Sequence, residues 1–266
     1  MTAQETVVRT LGEFVDLVTP RIPDPQTGRR RDTGVYRGAS DARRPLLTSL
    51  DRLGGIDPPH TKREMEEHVL RNFIRYSRPH LDRARPHDEW ELLVAAQHHG
   101  VPTRLLDWTY SPLVAAFFAT RPALNGAETD RAVWRLDWQR MHRHFQLPPL
   151  ALLIEDLRKT FGDGEHASLF RLFARDSRPF ACMIEPPSLD NRIVAQAATF
   201  TFTSAKDQSF DAFLAEHGLA ATLTRFVIPA GEVARFRDQL DLVGIDERRL
   251  FPDLDGVATA IQRYYA

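Results

Sequence analysis

Two short segments concentrate the side chains that could do chemistry. The first is Tyr36-Arg37-Gly38. An arginine at the end of a strand, followed by a permissive glycine, puts a planar five-donor fork at a sheet rim. That fork suits bidentate capture of phosphate or carboxylate. A plain ion pair with a nearby Asp is the structural alternative. The second segment runs from Gln97 to Pro112 and carries His98, His99, Thr103, Arg104, Asp107, Trp108, Thr109, Tyr110 and Ser111. Once buried, such a segment must satisfy many donors and acceptors. It does so through a ligand or through an internal network in which Asp107 accepts from Arg104 and from backbone N–H groups.

Ser111-Pro112 opens a helix, with Ser as N-cap and Pro at the first helical position. Its free N–H groups and positive dipole end suit an anion. A third candidate is Arg192 with Gln196, four residues apart and on one face if that piece is helical. Metal and nucleophile signatures are missing. The ten His show no H-E-x-x-H spacing. There is no nucleophile elbow, dinucleotide fingerprint or Walker loop. Asp253 to Gly256 lacks the remaining ligands of a calcium loop and reads as a turn and helix cap.

These segments need elements to position them. Residues 9–18 read as a helix with Leu11, Phe14, Val15 and Val18 on one face. Gly34 to Gly38 reads as a short strand stopped by Gly38. Residues 62–77 form a helix with Met65, Val69, Phe73 and Tyr76 at spacings of three to four. Asp88 to His99 is another, with Asp88 and Glu91 as a capping box and Gly100 closing it. Val101 to Thr109 is extended or turning. Strands are expected at 132–137, 180–185, 198–203 and 222–228. Two short helices are expected in 150–175, broken at Gly162-Asp163-Gly164, with others at 209–217, 230–243 and 254–264. Irregular mixing of strands and helices favours a single-domain α+β fold, a central mixed or antiparallel sheet flanked by helices. Residues 1–30 read as an N-terminal helix and connector, and 31–266 as the domain proper.

Composition sets the outer limits. The 266 residues are 42% hydrophobic and 27% charged, enough for a sizeable core. The net charge of −1 gives no global case for nucleic acid or membrane. Lys62, Lys159 and Lys206 are the three lysines, so arginine dominates the basic residues throughout. The N-terminus lacks a signal-peptide pattern, and no apolar run approaches a membrane span. The single Cys182 sits in an apolar run and reads as an inert core thiol. Together these place the protein in the cytoplasm.

Taken together, the chain resembles the FRG domain family, named for a Phe/Tyr-Arg-Gly motif. The family's second hallmark is similar to Q-H-x-G-x-P-T-R-L-L-D-W-T-x-x-P-L-x-A-x-x-F-A, met here from Gln97 to Ala119. An Arg-x-x-x-Gln-x-Gly-x-Phe piece is met by Arg192, Gln196 and Phe200, with Ala198 where the family shows Gly. The tail from Gly244 to Gly256 is similar too, so the likeness spans roughly residues 30 to 260. A more distant likeness is to ADP-ribosyltransferases. It implies an NAD-using fold in which Arg37 clamps the pyrophosphate and Thr109 or Ser111 orients a ribose. Trp108 would stack on a ring, and Asp107 or Glu185 would face the charge left when nicotinamide departs. Gln196 takes the late polar position, without its usual carboxylate. The resemblance thus implies Arg37, Asp107 and Gln196 as catalytic. It implies Tyr36, Gly38, His98, Thr103, Arg104, Trp108, Thr109, Ser111 and Arg192 as ligand-binding. NAD would be the substrate and no metal is expected. The partners implied are a nucleotide-like small molecule and a protein or nucleic-acid target, with no membrane, as in a toxin or phage-defence effector. The alternative is a non-catalytic nucleotide- or nucleic-acid-binding module.

Overall fold

Seven short strands pair in one mixed sheet. The computed structural model describes residues 3–54, 61–80, 89–121, 128–154, 156, 179–186, 191–205 and 208–265. The expected cap at Asp88 and most of the expected helix pair in 150–175 lie outside the described residues. The strands are β1 (Gln4–Val7), β2 (Val35–Ala39), β3 (Leu106–Thr109), β4 (Arg131–Leu136), β5 (Ala181–Ile184), β6 (Ala198–Thr203) and β7 (Leu223–Ile228). Their order across the sheet is β1-β7-β4-β2-β3-β6-β5. β1 runs parallel to β7, and every other neighbouring pair is antiparallel. The fold is a single α+β domain.

Among the described residues the helices are α1 (Leu11–Val18), α2 (Lys62–Ser77), α3 (Glu89–His98), α4 (Pro112–Thr120), α5 (Trp138–His144), α6 (Asn191–Ala195), α7 (Phe210–Glu216), α8 (Val233–Leu242), α9 (Glu247–Leu250) and α10 (Leu254–Tyr265). Strand alternation sorts the core. Val35, Leu106, Trp108, Trp134 and Met183 face α5 and α7 on one side. On the other side Tyr36, Val133, Phe226 and Ile228 meet α1, α4 and α8. Further along that side Cys182, Ile184, Phe200 and Phe202 meet α2 and α3. The helical layer is therefore split into two groups, which leaves room above β2 and β3.

Gly38 does not stop its strand. It lies inside β2, paired with Val133. A Cβ there would fall 2.2 Å from the Ala115 carbonyl oxygen and 2.4 Å from the Ala119 backbone nitrogen. Glycine is required so that the backbone of α4 can lie directly on β2. Ala115, Ala116 and Ala119 of α4 are completely buried, and their small size permits the same approach.

β1, α5 and α9 escape the sequence pattern. β1 is an exposed edge strand of polar residues with no apolar alternation to mark it. α5 follows directly on β4 and is capped by Asp137, whose side chain accepts from the Arg140 N–H. The buried stripe of α2 is also rotated from the expected one. Glu66 and Leu70 point inward while Tyr76 is exposed, because Glu66 meets a buried arginine.

His142, on α5, is completely buried. Its Nδ1 donates to the Pro148 carbonyl at 2.8 Å and its Nε2 accepts from the Met183 N–H at 2.7 Å, which defines a neutral ring. Burial lowers its pKa from the usual value, only partly opposed by the bond to Pro148. A lowered folded pKa means the stabilisation is present above about pH 6.5 and is lost as pH falls through the folded value. Thermal denaturation followed from pH 7.5 to 5 should show this loss, and His142→Gln should flatten it. Gly38→Ala should cost about 3 kcal/mol in urea unfolding, since it forces two backbones apart. Gly100→Ala, at φ +79° with open space around it, should cost only about 1 kcal/mol.

Candidate functional site

The room between the two helical groups is a cleft of about 1350 Å³. Its floor is the place where β2 and β3 separate. Those strands share one ladder pair, Tyr36 with Thr109. Beyond it the guanidinium of Arg37 takes over the bridging. Its Nη1 donates to the Asp107 carbonyl at 2.7 Å and reaches the Asp107 carboxylate at 3.3 Å. The remaining donors of Arg37 carry no bond from the described residues. The Arg37 side chain is 19% exposed and that of Asp107 is 52% exposed, so the carboxylate looks into the cleft.

A relay of side chains holds Asp107. Gln97 at the end of α3 donates from Nε2 to Asp107 Oδ1 at 2.7 Å. The other end of that amide accepts from the Thr103 hydroxyl at 2.6 Å. Thr103 then exchanges backbone bonds with the Ser49 hydroxyl, its N–H donating at 3.0 Å and its carbonyl accepting at 3.2 Å. The expected bond from Arg104 to Asp107 does not form. Arg104 turns the other way and grips Glu66 on α2 through Nε at 2.6 Å and through Nη2. Arginine and carboxylate are 11% and 2% exposed, a buried structural pair.

Gln196 closes the third side. Its backbone carbonyl accepts from the Thr109 hydroxyl at 2.6 Å, and its own Nε2 donates to the Leu250 carbonyl at 2.9 Å. It thereby ties α6 to β3 and α9. Arg37, Asp107 and Gln196 all line the cleft, together with Tyr36, Gly38, His98, Trp108, Thr109 and Arg192. Thr103, Arg104 and Ser111 are not among its lining residues.

Several expected roles are corrected by what these side chains touch. Trp108 is 3% exposed and its Nε1 donates to the Thr201 hydroxyl at 2.9 Å, so its ring belongs to the core rather than to a stack. The Tyr36 hydroxyl donates to Asp32, which Arg135 also grips. Burial pushes the Asp32 carboxyl upward, yet the bonds from Arg135 and Tyr36 outweigh this and hold its pKa below the usual range. Tyr36 therefore anchors the motif through Asp32. The start of α4 is no open anion site either. Pro112 has no N–H, Ser111 Oγ accepts from Val114 at 3.3 Å, and Thr109 Oγ1 accepts the Ser111 N–H at 3.0 Å. Glu185 accepts from the Tyr110 hydroxyl at 2.6 Å and does not line the cleft. Ala198 lies in β6 opposite Thr109, and the left-handed residue of that turn is Ala197, at φ 45°. No group of three metal-ligating side chains occurs among the described residues. No helix among them is long and apolar enough to cross a membrane.

Sequence reasoning missed Ser49, Arg52, Phe118, Arg121 and Phe251, all near this cleft. Only Arg121 had a signal, its place one residue past the end of α4.

Residues 32–128 match the family model of the FRG domain. No curated protein and no solved structure matches the chain. The matched span includes Tyr36-Arg37-Gly38 and the whole run from Gln97 to Ala119. It ends before Arg192, Gln196 and the C-terminal tail.

The two ion pairs should separate cleanly on mutation. Glu66→Ala removes a buried bidentate partner and should cost about 3 kcal/mol in urea unfolding. Asp107→Ala, at a half-exposed pair, should cost no more than about 1 kcal/mol. Equal and large costs would mark Asp107 as a structural brace alone.

Proposed function

We propose that this chain, which carries an FRG domain over residues 32–128, binds NAD in the cleft above β2 and β3 and acts on it as an ADP-ribosyltransferase-like enzyme. The observation that carries the reading is convergence. Arg37 on β2, Asp107 and Thr109 on β3, and Gln196 after α6 come from three separate parts of the chain and line one cleft. The volume of about 1350 Å³ exceeds the roughly 300–1000 Å³ of ordinary small-molecule pockets. A dinucleotide is an occupant of suitable size.

In this reading the chemistry is loss of nicotinamide. The C1′–N1 glycosidic bond breaks and its electron pair goes to the pyridinium nitrogen, which leaves neutral nicotinamide. Positive charge develops on the ribose, and the Asp107 carboxylate faces it. An acceptor oxygen, from water or a target side chain, then bonds to C1′ and gives up its proton. Asp107 is suited to the first part because Gln97 and Arg37 fix its direction before the ligand arrives. Arg37 keeps unbonded N–H groups for an anionic or carbonyl oxygen of the ligand. Gln196 acts as a positioning residue, since its amide is spent on the Leu250 carbonyl.

That same amide supports a second reading, a nucleotide-binding module without turnover. Gln196 supplies no second carboxylate, so Asp107 alone would have to carry the charge. Incubation with NAD, followed by chromatography for nicotinamide and by thermal shift, separates the two. The first reading expects a thermal shift and released nicotinamide. Asp107→Asn should then keep binding within a few-fold and lose about 100-fold or more in turnover. A shift without nicotinamide supports the binding module. No shift and no release would sink both.

A further inference from the structure

A second arginine, Arg52, lines the cleft with Arg37 and has no role so far. It stands on the turn between β2 and α2, and that turn is firmly fixed. The Thr48 hydroxyl and N–H both donate to Asp51 Oδ2, at 2.7 and 2.8 Å, and Lys62 grips the other oxygen of that carboxylate. Leu50 is completely buried, and its N–H donates to the Thr103 carbonyl at 3.1 Å. Ser49 exchanges bonds with the same Thr103 backbone. The turn is thereby fastened to the relay of Thr103 and Gln97 that holds Asp107, the partner of Arg37.

The Arg52 guanidinium uses one donor on this turn. Its Nη1 donates to the Leu47 carbonyl at 2.8 Å. It makes no ion pair among the described residues. The nearest strong charge it feels is a like one, Arg37, ahead of the carboxylates of Asp107 and Asp51. Desolvation and then Arg37 lower its pKa, and the two carboxylates only partly oppose this. Asp51 is already taken by Lys62, and Asp107 by Arg37 and Gln97. Two guanidiniums with donors to spare thus share one cleft wall and repel each other. An anion with several oxygens, placed between such forks, relieves the repulsion and fills the donors.

We infer that Arg52 is a second ligand-binding arginine, which with Arg37 clamps the diphosphate of a nucleotide in the cleft. The inference rests on the reading of the cleft as an NAD site and deepens it. Arg37 then serves two groups at once, Asp107 through Nη1 and phosphate oxygens through its other donors.

Calorimetric titration with inorganic pyrophosphate and with NAD at low ionic strength tests it. Wild type, Arg52→Gln and Arg52→Lys would be compared. Arg43→Gln, an exposed arginine outside the cleft lining, controls for the change in net charge. Arg52→Gln should weaken both probes about tenfold or more, Arg52→Lys less, and Arg43→Gln by no more than about twofold. Pyrophosphate binding that needs Arg52, without NAD binding, would keep the clamp and reject the NAD reading. NAD binding that is equal in wild type and Arg52→Gln would overturn the clamp and leave the NAD reading intact. No binding of either probe to the wild type would overturn the clamp. A measurement on the wild type guards against a folding defect in the variants. Pyrophosphate should shield Arg52, but not Arg43, from phenylglyoxal, read by peptide mass spectrometry, and equal labelling of Arg52 with and without it would overturn the clamp.

Discussion

The backbone of one helix lying directly on one strand is the constraint on which this architecture depends. Gly38 has no side chain, and α4 presents Ala115 and Ala119 to it, so α4 and β2 touch without an intervening layer. That contact brings the end of β3, which runs into α4, beside β2. The sheet is then free to open between β2 and β3 further along. Arginine, with a side chain long enough to cross the opening and five donors, replaces the missing ladder bond. The Tyr-Arg-Gly triplet therefore contains three separate jobs. Tyr36 holds Asp32, Arg37 bridges across, and Gly38 admits the helix.

The polar groups of the central segment divide into those that build and those that are presented. Thr103, Arg104, Thr109 and Trp108 direct their polar atoms to protein partners and are largely buried. Asp107 alone among them holds a half-exposed carboxylate at the cleft. Strand alternation sends Leu106 and Trp108 to one face and Asp107 to the other. Satisfying the builders internally leaves Asp107 rigid yet accessible, which is the condition for acting on a ligand without reorganising first.

Charge is used economically in a chain so rich in arginine. Arg104 with Glu66, Arg237 with Glu247, and Arg135 with Asp32 are buried or half-buried pairs that hold one element against another. Such pairs contribute little net stability over an apolar contact, but each fixes a specific partner. The stretch of arginines after residue 29 is divided in the same way. Arg43 and Arg44 turn to Asp41, and Arg37 turns to Asp107.

Local signals were enough for much of the molecule. Capping residues, apolar periodicity and strand-like runs located α1, α2, α3, α4, α7, α10 and five of the seven strands to within a residue or two. They did so because those preferences act over one or two turns of chain. The candidate residues Arg37, Asp107 and Gln196 were also readable as types and motifs. Partnership was not readable. Arg104 chose Glu66, 38 positions away, over Asp107 beside it, and so rotated the buried face of α2. Phe251 met Arg121 and Arg192, which lie 130 and 59 positions before it. Such choices depend on which donors and acceptors arrive together once water is excluded, and one-dimensional spacing carries no record of that. The sequence determined which chemistry was on offer, and the tertiary structure decided that Trp108 would be core, Asp107 exposed and Gly38 a seat for a helix.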